Sequence, residues 1–279
     1  MNKPFFSIII PLYNKEKSIA RTLQGILNQS YPDFEIVIIN DGSTDHGVEI
    51  VSQFHDERLH LYSQPKSGPS KARNEGVRHS MADWIIFLDA DDEITPGALE
   101  YYVKMISEYP DLDILDCNKY NRFDDRLVPC YHPIEGWVKN NMKECFWGKI
   151  SPGAGFSVFR KSLLERVPYD NRIRRFEDAE WLIRLLQNGK VYSSRQITSI
   201  HDMNYAAASN PRDNVMEDYF AYLDFSKGGF WQKMCIYRTF IENRDLYPTY
   251  GHQHYASLYR RYDILLLYKL LNWIGKLTR

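Results

Sequence analysis

Short apolar runs, separated by segments with a helical period, set the pattern of the first 110 residues. Strands are predicted where mostly apolar, β-favouring side chains cluster, at residues 6–10, 35–39, 59–62 and 84–88. Helices are predicted where apolar residues recur at spacings of three and four, at residues 19–27 and 48–54, over the small-residue segment 70–80, and from Thr95 as N-cap with Pro96 at the first helical position. This alternation predicts an α/β fold in which helices flank a mostly parallel central sheet.

The pattern loosens after residue 111. Strands are predicted at residues 114–117 and 191–200, and a strand leading into a short helix at residues 156–164. A helix is predicted after Glu177-Asp178, where Leu182, Leu185 and Leu186 follow at helical spacing. Residues 118–137 read as an irregular polar segment, and the chain ends in helices rich in Tyr, Leu and Arg. We therefore expect a C-terminal helical appendage.

Polar segments follow three of the first four predicted strands. They are Pro11-Leu12-Tyr13-Asn14, Asn40-Asp41-Gly42-Ser43 and Asp89-Ala90-Asp91-Asp92. Because the carboxyl ends of parallel strands open at one edge of a sheet, these segments should converge there. The carboxylates of the third segment repel one another unless a cation or a set of N–H donors lies between them. Taken alone, that segment fits a solvated acidic turn at the start of a helix equally well.

Charge and cysteine content narrow the class of protein. Lys plus Arg number 35 and Asp plus Glu 36, so the net charge of −1 argues against a nucleic-acid binder that relies on a positive field. The four cysteines show no Cys-x-x-Cys pairing, which favours a reduced, cytoplasmic setting. Residues 5–12 are cut by Pro11 and read as a first strand rather than a signal peptide, and no run has the length of a membrane span.

Known phosphate-binding motifs do not fit the first loop. A dinucleotide fold would place Gly-x-Gly-x-x-Gly after the first strand, and a P-loop would place its glycines and lysine there, whereas this chain has Pro-Leu-Tyr-Asn. The Asp-x-Asp of aspartate-nucleophile phosphotransferases also follows a first strand, and here it follows the fourth. Acidic side chains at the mouth of a site neutralise a diphosphate only through a divalent metal.

Four motifs in this order resemble the inverting glycosyltransferases of family 2, which have the GT-A fold. They are Pro11-Leu12-Tyr13-Asn14, Asn40-Asp41-Gly42-Ser43-Thr44-Asp45, Asp89-Ala90-Asp91-Asp92 and Glu177-Asp178, and Ala72-Arg73-Asn74-Glu75-Gly76 also matches the family's pattern. The resemblance covers roughly residues 4–205 and is specific because the motifs occur jointly. Asn40 departs from it, since many relatives have an aspartate there.

The resemblance implies a site for a UDP-sugar donor. The residues it places at the nucleotide are Pro11, Tyr13, Asn14, Asp41, Gly42, Ser43, Arg73, Asp89 and Ala90. Tyr13 is expected near the base, Asp41 accepts the N3–H of uracil, and Arg73 contacts the diphosphate or nucleotide. Structural interpretations stay open: a loop aromatic packed on the sheet for Tyr13, a turn and helix cap for Asp41, and a solvated helix residue for Arg73.

The resemblance also implies a metal and a catalytic base. Asp91 is the expected direct ligand of Mn²⁺ or Mg²⁺, Asp89 touches the ribose or supports the metal, and His201 contacts the metal or diphosphate. Asp178 resembles the base that takes the acceptor's hydroxyl proton, and Glu177 a supporting or acceptor-binding residue. A structural histidine and acidic residues that favour a helix N-terminus are the alternatives.

The expected organisation is a glycosyltransferase domain over residues 1–210, with a nucleotide-binding half at about 1–110 and an acceptor half at about 111–210, followed by a helical region at 211–279. Residues 205–210 are a candidate lid. The tail from residue 255 is basic and amphipathic, so it could rest on an anionic membrane or pack on the domain or on a second subunit as a homodimer.

The function expected from the resemblance is metal-dependent, inverting transfer of a sugar from a UDP-sugar to a hydroxyl of a glycan or lipid-linked acceptor in surface-polysaccharide biosynthesis. The protein would be cytoplasmic or peripheral at the inner face of the cell membrane. Two alternatives stay open: a catalytically silent sugar- or nucleotide-binding scaffold of the same fold, and a nucleotidyltransferase. Asp178 argues against the scaffold, because a binding module has no need of a base.

Overall fold

The computed structural model describes residues 3–130, 134–174, 176–204, 228–242 and 268–271. The strands are Phe6–Leu12 (β1), Phe34–Asn40 (β2), Leu59–Ser63 (β3), Trp84–Phe87 (β4), Glu93–Ile94 (β5), Ile114–Phe123 (β6), Arg126–Cys130 (β7), Gly136–Trp137 (β8), Ser157–Arg160 (β9) and Val191–Asp202 (β10). The helices are Ile19–Leu27 (α1), Gly47–Ser52 (α2), Pro69–His79 (α3), Ala98–Glu108 (α4), Asn141–Phe146 (α5), Lys161–Arg166 (α6), Glu177–Asn188 (α7) and Phe230–Glu242 (α8).

The strands form one mixed sheet in the order β3-β2-β1-β4-β9-β6-β10-β5, with β7 paired to β6 and β8 paired to β10. The four strands β3, β2, β1 and β4 are parallel, and every residue of β2 and β4 is buried. Continuous burial is typical of parallel strands with both faces covered, so the predicted parallel arrangement holds for this part of the sheet. Strand β9 then runs antiparallel between β4 and β6, and β10 is again parallel to β6.

Two predictions about local structure were wrong. Residues 118–137 are not irregular throughout, because β6 continues to Phe123 and forms a hairpin with β7, with Asp124 in the left-handed region at φ 50°. The helix expected from Thr95 begins at Ala98, because Glu93–Ile94 pairs with β10 and Gly97 adopts φ 76°. Both regions pair with β10, which is distant in the sequence, and a local pattern does not contain such pairing.

Apolar side chains pack on both faces of the sheet. Alternate residues of β1 point to opposite faces, so Ile8 and Ile10 join a core covered by α1 and α4, whereas Ile9 joins a core that includes Trp181 of α7. A third cluster contains Phe146, Ile183 and Tyr237, which fastens α8 against α5 and α7. The helix that carries the predicted catalytic base is therefore packed on two sides.

The C-terminal predictions are only partly covered by the described residues. Helix α8 and the helical residues 268–271 agree with the expected helical appendage. The predicted boundary at residue 210, the candidate lid at 205–210 and most of the basic tail lie outside the described residues. Of the helices that the structure describes, none combines the length and the apolar character that crossing a membrane requires.

Gly76 on α3 is a sensitive packing position. A Cβ there would lie 2.1 Å from Cγ2 of the fully buried Ile9. We predict that Gly76→Ala lowers the free energy of unfolding by about 1–2 kcal/mol, because overpacking outweighs the higher helix propensity of alanine. Urea denaturation measures this loss. Gly25→Ala on α1 is the matched control, since the nearest atom there is 3.9 Å away, and it should add up to about 1 kcal/mol. Equal effects at both positions would contradict the packing argument.

Candidate active site

Two of the predicted motifs, the acidic segment after β4 and the acidic start of α7, meet at a cavity of about 350 Å³ beyond the carboxyl end of β4. Its charged lining residues are Asp89, Asp92, Lys119, Asp178 and His201. Residues 151–154, Phe156 and the start of α7 complete the wall. Asp89 and Asp178 are distant in the sequence, so the sheet topology is what brings the acidic segment after β4 beside the acidic start of α7.

Arg73 connects the two acidic motifs. Its side chain lies on α3 and is 4% exposed, with Nη2 2.9 Å from Asp89 Oδ1 and Nη1 3.1 Å from Asp178 Oδ1. Burial alone would lower the pKa of Arg73, but Tyr169, Asp178 and Asp89 raise it well above its ordinary value. Burial likewise opposes ionisation of Asp89, yet the charge of Arg73 holds the pKa of that carboxyl below its ordinary value. Arg73 and Asp89 are therefore mutually stabilised in their charged forms.

Asp178 lies in the first turn of α7 and its side chain is 67% exposed. The chain enters α7 through Phe176, which adopts φ 57°, a left-handed conformation that costs a bulky residue on the order of 1–2 kcal/mol. Glu177 precedes Asp178 and is half-buried. The hydroxyl of Tyr169 also contacts Asp178 Oδ1, at 3.1 Å. Sequence reasoning missed Tyr169, since it belongs to no motif and precedes Asp178 by nine residues.

Asp91, the expected metal ligand, forms an ion pair with Lys15 Nζ in the loop after β1. Its side chain is 12% exposed, and its carbonyl accepts a hydrogen bond from Arg21 Nη2 at 3.1 Å. Lys15 was not predicted from the sequence, because it follows the Pro11-Leu12-Tyr13-Asn14 motif and belongs to no motif itself. The neighbouring Ala90 is 1% exposed and packs in the core, so its side chain faces away from solvent.

The partly exposed His201 and the buried Asp92 form a second pair at the cavity. Nδ1 of His201 lies 2.9 Å from Asp92 Oδ2, and the other oxygen of Asp92 accepts the backbone N–H of Asp202 at 3.0 Å. The hydrogen bond that His201 donates to Asp92 raises the pKa of His201 above its ordinary value, although burial opposes this. Since Nδ1 is engaged, Nε2 is the nitrogen of His201 that is left to bind a ligand.

The three carboxylates after β4 thus have three separate partners, Arg73 for Asp89, Lys15 for Asp91 and His201 for Asp92. This separation relieves the repulsion that the sequence suggested.

Asp41 organises the loop between β3 and α3. The carboxylate is 4% exposed and accepts hydrogen bonds from Gln64 Nε2 at 2.7 Å, Ser67 N at 2.8 Å and Gly68 N at 2.7 Å. Gly42 follows with φ 73°, and a Cβ there would lie 2.9 Å from the backbone nitrogen of Lys66. A carboxylate has about four lone-pair positions. These three hydrogen bonds therefore leave Asp41 one acceptor position, on Oδ2, for a further donor.

Tyr13 contacts this loop through Lys66. Its ring is 37% exposed, and Lys66 Nζ lies 4.2 Å from the ring centroid and 2.6 Å from the hydroxyl oxygen. Asn14 adopts φ 51° and accepts a hydrogen bond from Thr44 N at 2.8 Å, while its own N–H donates to Ser43 Oγ at 3.2 Å. Pro11 is the register partner of Ile39 within the sheet. The first two predicted loops are therefore joined by hydrogen bonds.

The donor set suits a metal that is bound jointly with a nucleotide. Within the described ranges, no three His, Cys, Asp or Glu residues come together as a metal-binding group. Asp89 and His201 line the same cavity, however, and Mg²⁺ is usually held by one or two carboxylates together with substrate phosphates and water. Asp91 would first have to leave Lys15. A nucleotide-bound Mn²⁺ or Mg²⁺ is therefore chemically compatible with these residues.

The chain belongs to glycosyl transferase family 2. Residues 7–167 match the family described as Glycosyl transferase family 2. The "Uncharacterized glycosyltransferase EpsJ" of Bacillus subtilis (strain 168) is 34% identical over 242 residues, which cover 80% of this chain and 70% of that protein. The "Poly-beta-1,6-N-acetyl-D-glucosamine synthase" of Staphylococcus epidermidis is 29% identical over 202 residues, 68% of this chain and 48% of the synthase. The chain spans less than half the length of most of the curated relatives it matches.

A solved structure confirms the expected fold. The crystal structure of S. aureus TarS 1-349 in complex with UDP-GlcNAc has a TM-score of 0.64 at 23% sequence identity, over 74% of this chain and 62% of that chain. Together with the family match, this confirms the α/β GT-A fold that the motifs predicted.

The pair of His201 and Asp92 yields a prediction about protonation. The carboxylate favours the imidazolium, so His201 holds its proton to a higher pH in the folded protein than in the unfolded chain. The resulting stability is present below the unfolded pKa and is lost as pH rises through the folded pKa. We predict that Asp92→Asn lowers the pKa of His201, as measured by NMR titration of the ring protons. An unchanged pKa would contradict the pairing.

Proposed function

We propose that this protein transfers a sugar from a UDP-sugar to a hydroxyl group of a glycan or lipid-linked acceptor, with inversion at the anomeric carbon and with Mn²⁺ or Mg²⁺ bound to the donor. The observation that carries the proposal is Arg73, which joins Asp89 of the acidic motif to Asp178 at one cavity. Family membership and the UDP-GlcNAc complex of TarS support the choice of donor.

Asp178 is the proposed general base. Its carboxylate is exposed at the cavity, and its described hydrogen bonds all reach Oδ1. The acceptor's O–H bond breaks and its proton passes to Oδ2, while the oxygen attacks the anomeric carbon from the face opposite UDP. The bond from that carbon to the diphosphate oxygen breaks, and its electron pair leaves with UDP. One displacement inverts the configuration.

A second group of residues is proposed to hold the donor. Tyr13 offers an exposed ring to the uracil base, and the free position on Asp41 suits the N3–H of uracil, which cytosine lacks. Asp89, Asp91 and His201 are the proposed ligands of the metal, which supplies positive charge to the diphosphate leaving group when bound. Glu177 is proposed to support Asp178 or the acceptor.

A role in surface-polysaccharide biosynthesis is the proposed context. One relative is named as a poly-β-1,6-N-acetyl-D-glucosamine synthase, and the basic C-terminal segment suits an acceptor at an anionic membrane surface. These observations support a glycan or lipid-linked acceptor, with this protein acting at the inner face of the membrane.

We predict that Asp178→Asn lowers the turnover of a UDP-sugar by about 100-fold or more, because the amide has no basic oxygen for the proton. Affinity for UDP should stay within about twofold of the wild type, since Asp178 itself is not among the residues expected to contact the nucleotide. Turnover is followed by UDP release from a panel of UDP-sugars that includes UDP-GlcNAc, with water or added glycans as acceptors. Glu180→Gln is the matched control on the same helical turn, where Glu180 pairs with Arg184 outside the cavity.

The second half of the experiment is a calorimetric titration of UDP in the presence of Mn²⁺. It is repeated with CDP in place of UDP, and with a chelator that removes the metal. Binding should prefer UDP over CDP, require the metal and weaken in Asp91→Ala. Loss of both turnover and UDP binding in Asp178→Asn would make this aspartate structural. Metal-independent binding without preference for UDP would contradict the proposed donor site.

A further inference from the structure

Asn74, the residue after Arg73, clamps a segment that no motif contains. Its Nδ2 donates to the carbonyl oxygen of Tyr169 at 2.9 Å, and the N–H of Tyr169 donates to Asn74 Oδ1 at 3.0 Å. The same Nδ2 also donates to Asn171 Oδ1 at 2.9 Å. One side-chain amide therefore satisfies both backbone groups of Tyr169 and fixes where this residue sits against α3.

The ring of Tyr169 is fixed as firmly as its backbone. It is 5% exposed and stacks on Trp181 of α7, with a centroid distance of 4.3 Å and an interplanar angle of 13°. Phe87 packs edge-on against it at 6.1 Å. Burial raises the pKa of Tyr169 well above its ordinary value, so the hydroxyl remains a donor at neutral pH. Its oxygen lies 3.1 Å from Asp178 Oδ1.

Two donors thus converge on one oxygen of Asp178. Arg73 Nη1 and the Tyr169 hydroxyl each lie 3.1 Å from Oδ1. Within the described part of the chain, Oδ2 receives no side-chain hydrogen bond, and Asp178 has no other side-chain anchor. Because the side chain is mostly exposed, its rotamer would be free without these donors. They hold Oδ1, which leaves Oδ2 as the oxygen of Asp178 that has no side-chain donor among the described residues.

We propose that Asn74 and Tyr169 are positioning residues for the base: Asn74 sets the backbone of Tyr169, and the Tyr169 hydroxyl holds Oδ1 of Asp178 so that Oδ2 takes the acceptor's proton. This inference rests on the proposed function. Consecutive residues of one helix therefore reach the base by two routes, Arg73 directly and Asn74 through Tyr169. Neither Asn74 nor Tyr169 contacts the reacting atoms.

Tyr169→Phe is the first test, because it removes the hydroxyl and keeps the ring stacked on Trp181. Turnover of a UDP-sugar, with water or a glycan as acceptor, should fall roughly 10-fold through kcat, since a misoriented base lowers the rate without weakening donor binding. The dissociation constant for UDP should stay within about twofold. Tyr192→Phe is the matched control, a buried tyrosine away from the cavity whose hydroxyl bonds Tyr109 at 3.3 Å.

Asn74→Ala tests whether Asn74 acts through Tyr169. Its kcat should also fall, and the double variant with Tyr169→Phe should fall no further than the worse single variant. Multiplied losses would mean that Asn74 acts by another route and would overturn that part of the proposal. Unchanged kcat in Tyr169→Phe, or a loss of UDP affinity equal to the loss of kcat, would overturn the role of the hydroxyl.

Thermal unfolding supplies a readout that does not depend on activity. Tyr169→Phe should lower Tm by about 2–4 °C when Asp178 is present and by less in an Asp178→Ala background, because the hydrogen bond is already absent there. An equal drop in both backgrounds would show that the contact is not formed and would overturn the proposal. If the Tm loss is smaller in the Asp178→Ala background, the hydrogen bond between Tyr169 and Asp178 exists. If the wild type nevertheless turns over no UDP-sugar, the proposed function fails, and this contact has no catalytic role.

Discussion

The structure of the site depends on one buried cation, the guanidinium of Arg73. Removing such a group from water costs several kcal/mol unless opposite charges and hydrogen bonds replace the solvent. Asp89 and Asp178 supply them, one from the loop after β4 and one from the start of α7. The same geometry requires that both acidic motifs lie within reach of α3. The cation thereby holds the proposed donor side and the proposed base in a fixed relation to each other.

The remaining charges follow the same logic. Asp91 pairs with Lys15 and Asp92 with His201, so each carboxylate of the acidic segment is neutralised by a different element. Asp202, next to His201, pairs in turn with Arg21 and Arg122, which ties β10 to α1 and β6. The site therefore combines several charged side chains with little uncompensated charge. A nucleotide with its metal would enter by exchanging these pairs, above all that of Asp91 with Lys15.

Much of the fold could be predicted from the sequence, because its signals are local. The runs that became β1, β2 and β4 are mostly apolar, and their carboxyl ends converge as the topology of parallel sheets requires. The extension of β6 beyond Cys117 and the late start of α4 depend on pairing with the distant strand β10, which periodicity does not encode. Family motifs identified Arg73, Asp89 and Asp178, but they did not indicate that the first holds the other two. Tyr169 and Lys15 carried no signal because their importance comes only from where the fold places them.

The most direct test of whether Arg73 joins the two halves of the site is its substitution by lysine. UDP titration with Mn²⁺ and UDP-sugar turnover are then measured on the same samples. Lysine retains the charge, but a single ammonium lacks the planar fork that reaches two carboxylates in different directions. We predict that the folded variant binds UDP more weakly, because Asp89 loses its partner, and turns over donor more slowly than this weaker binding explains, because Asp178 loses its anchor. Wild-type values for both quantities would contradict the claim that Arg73 joins the two halves of the site.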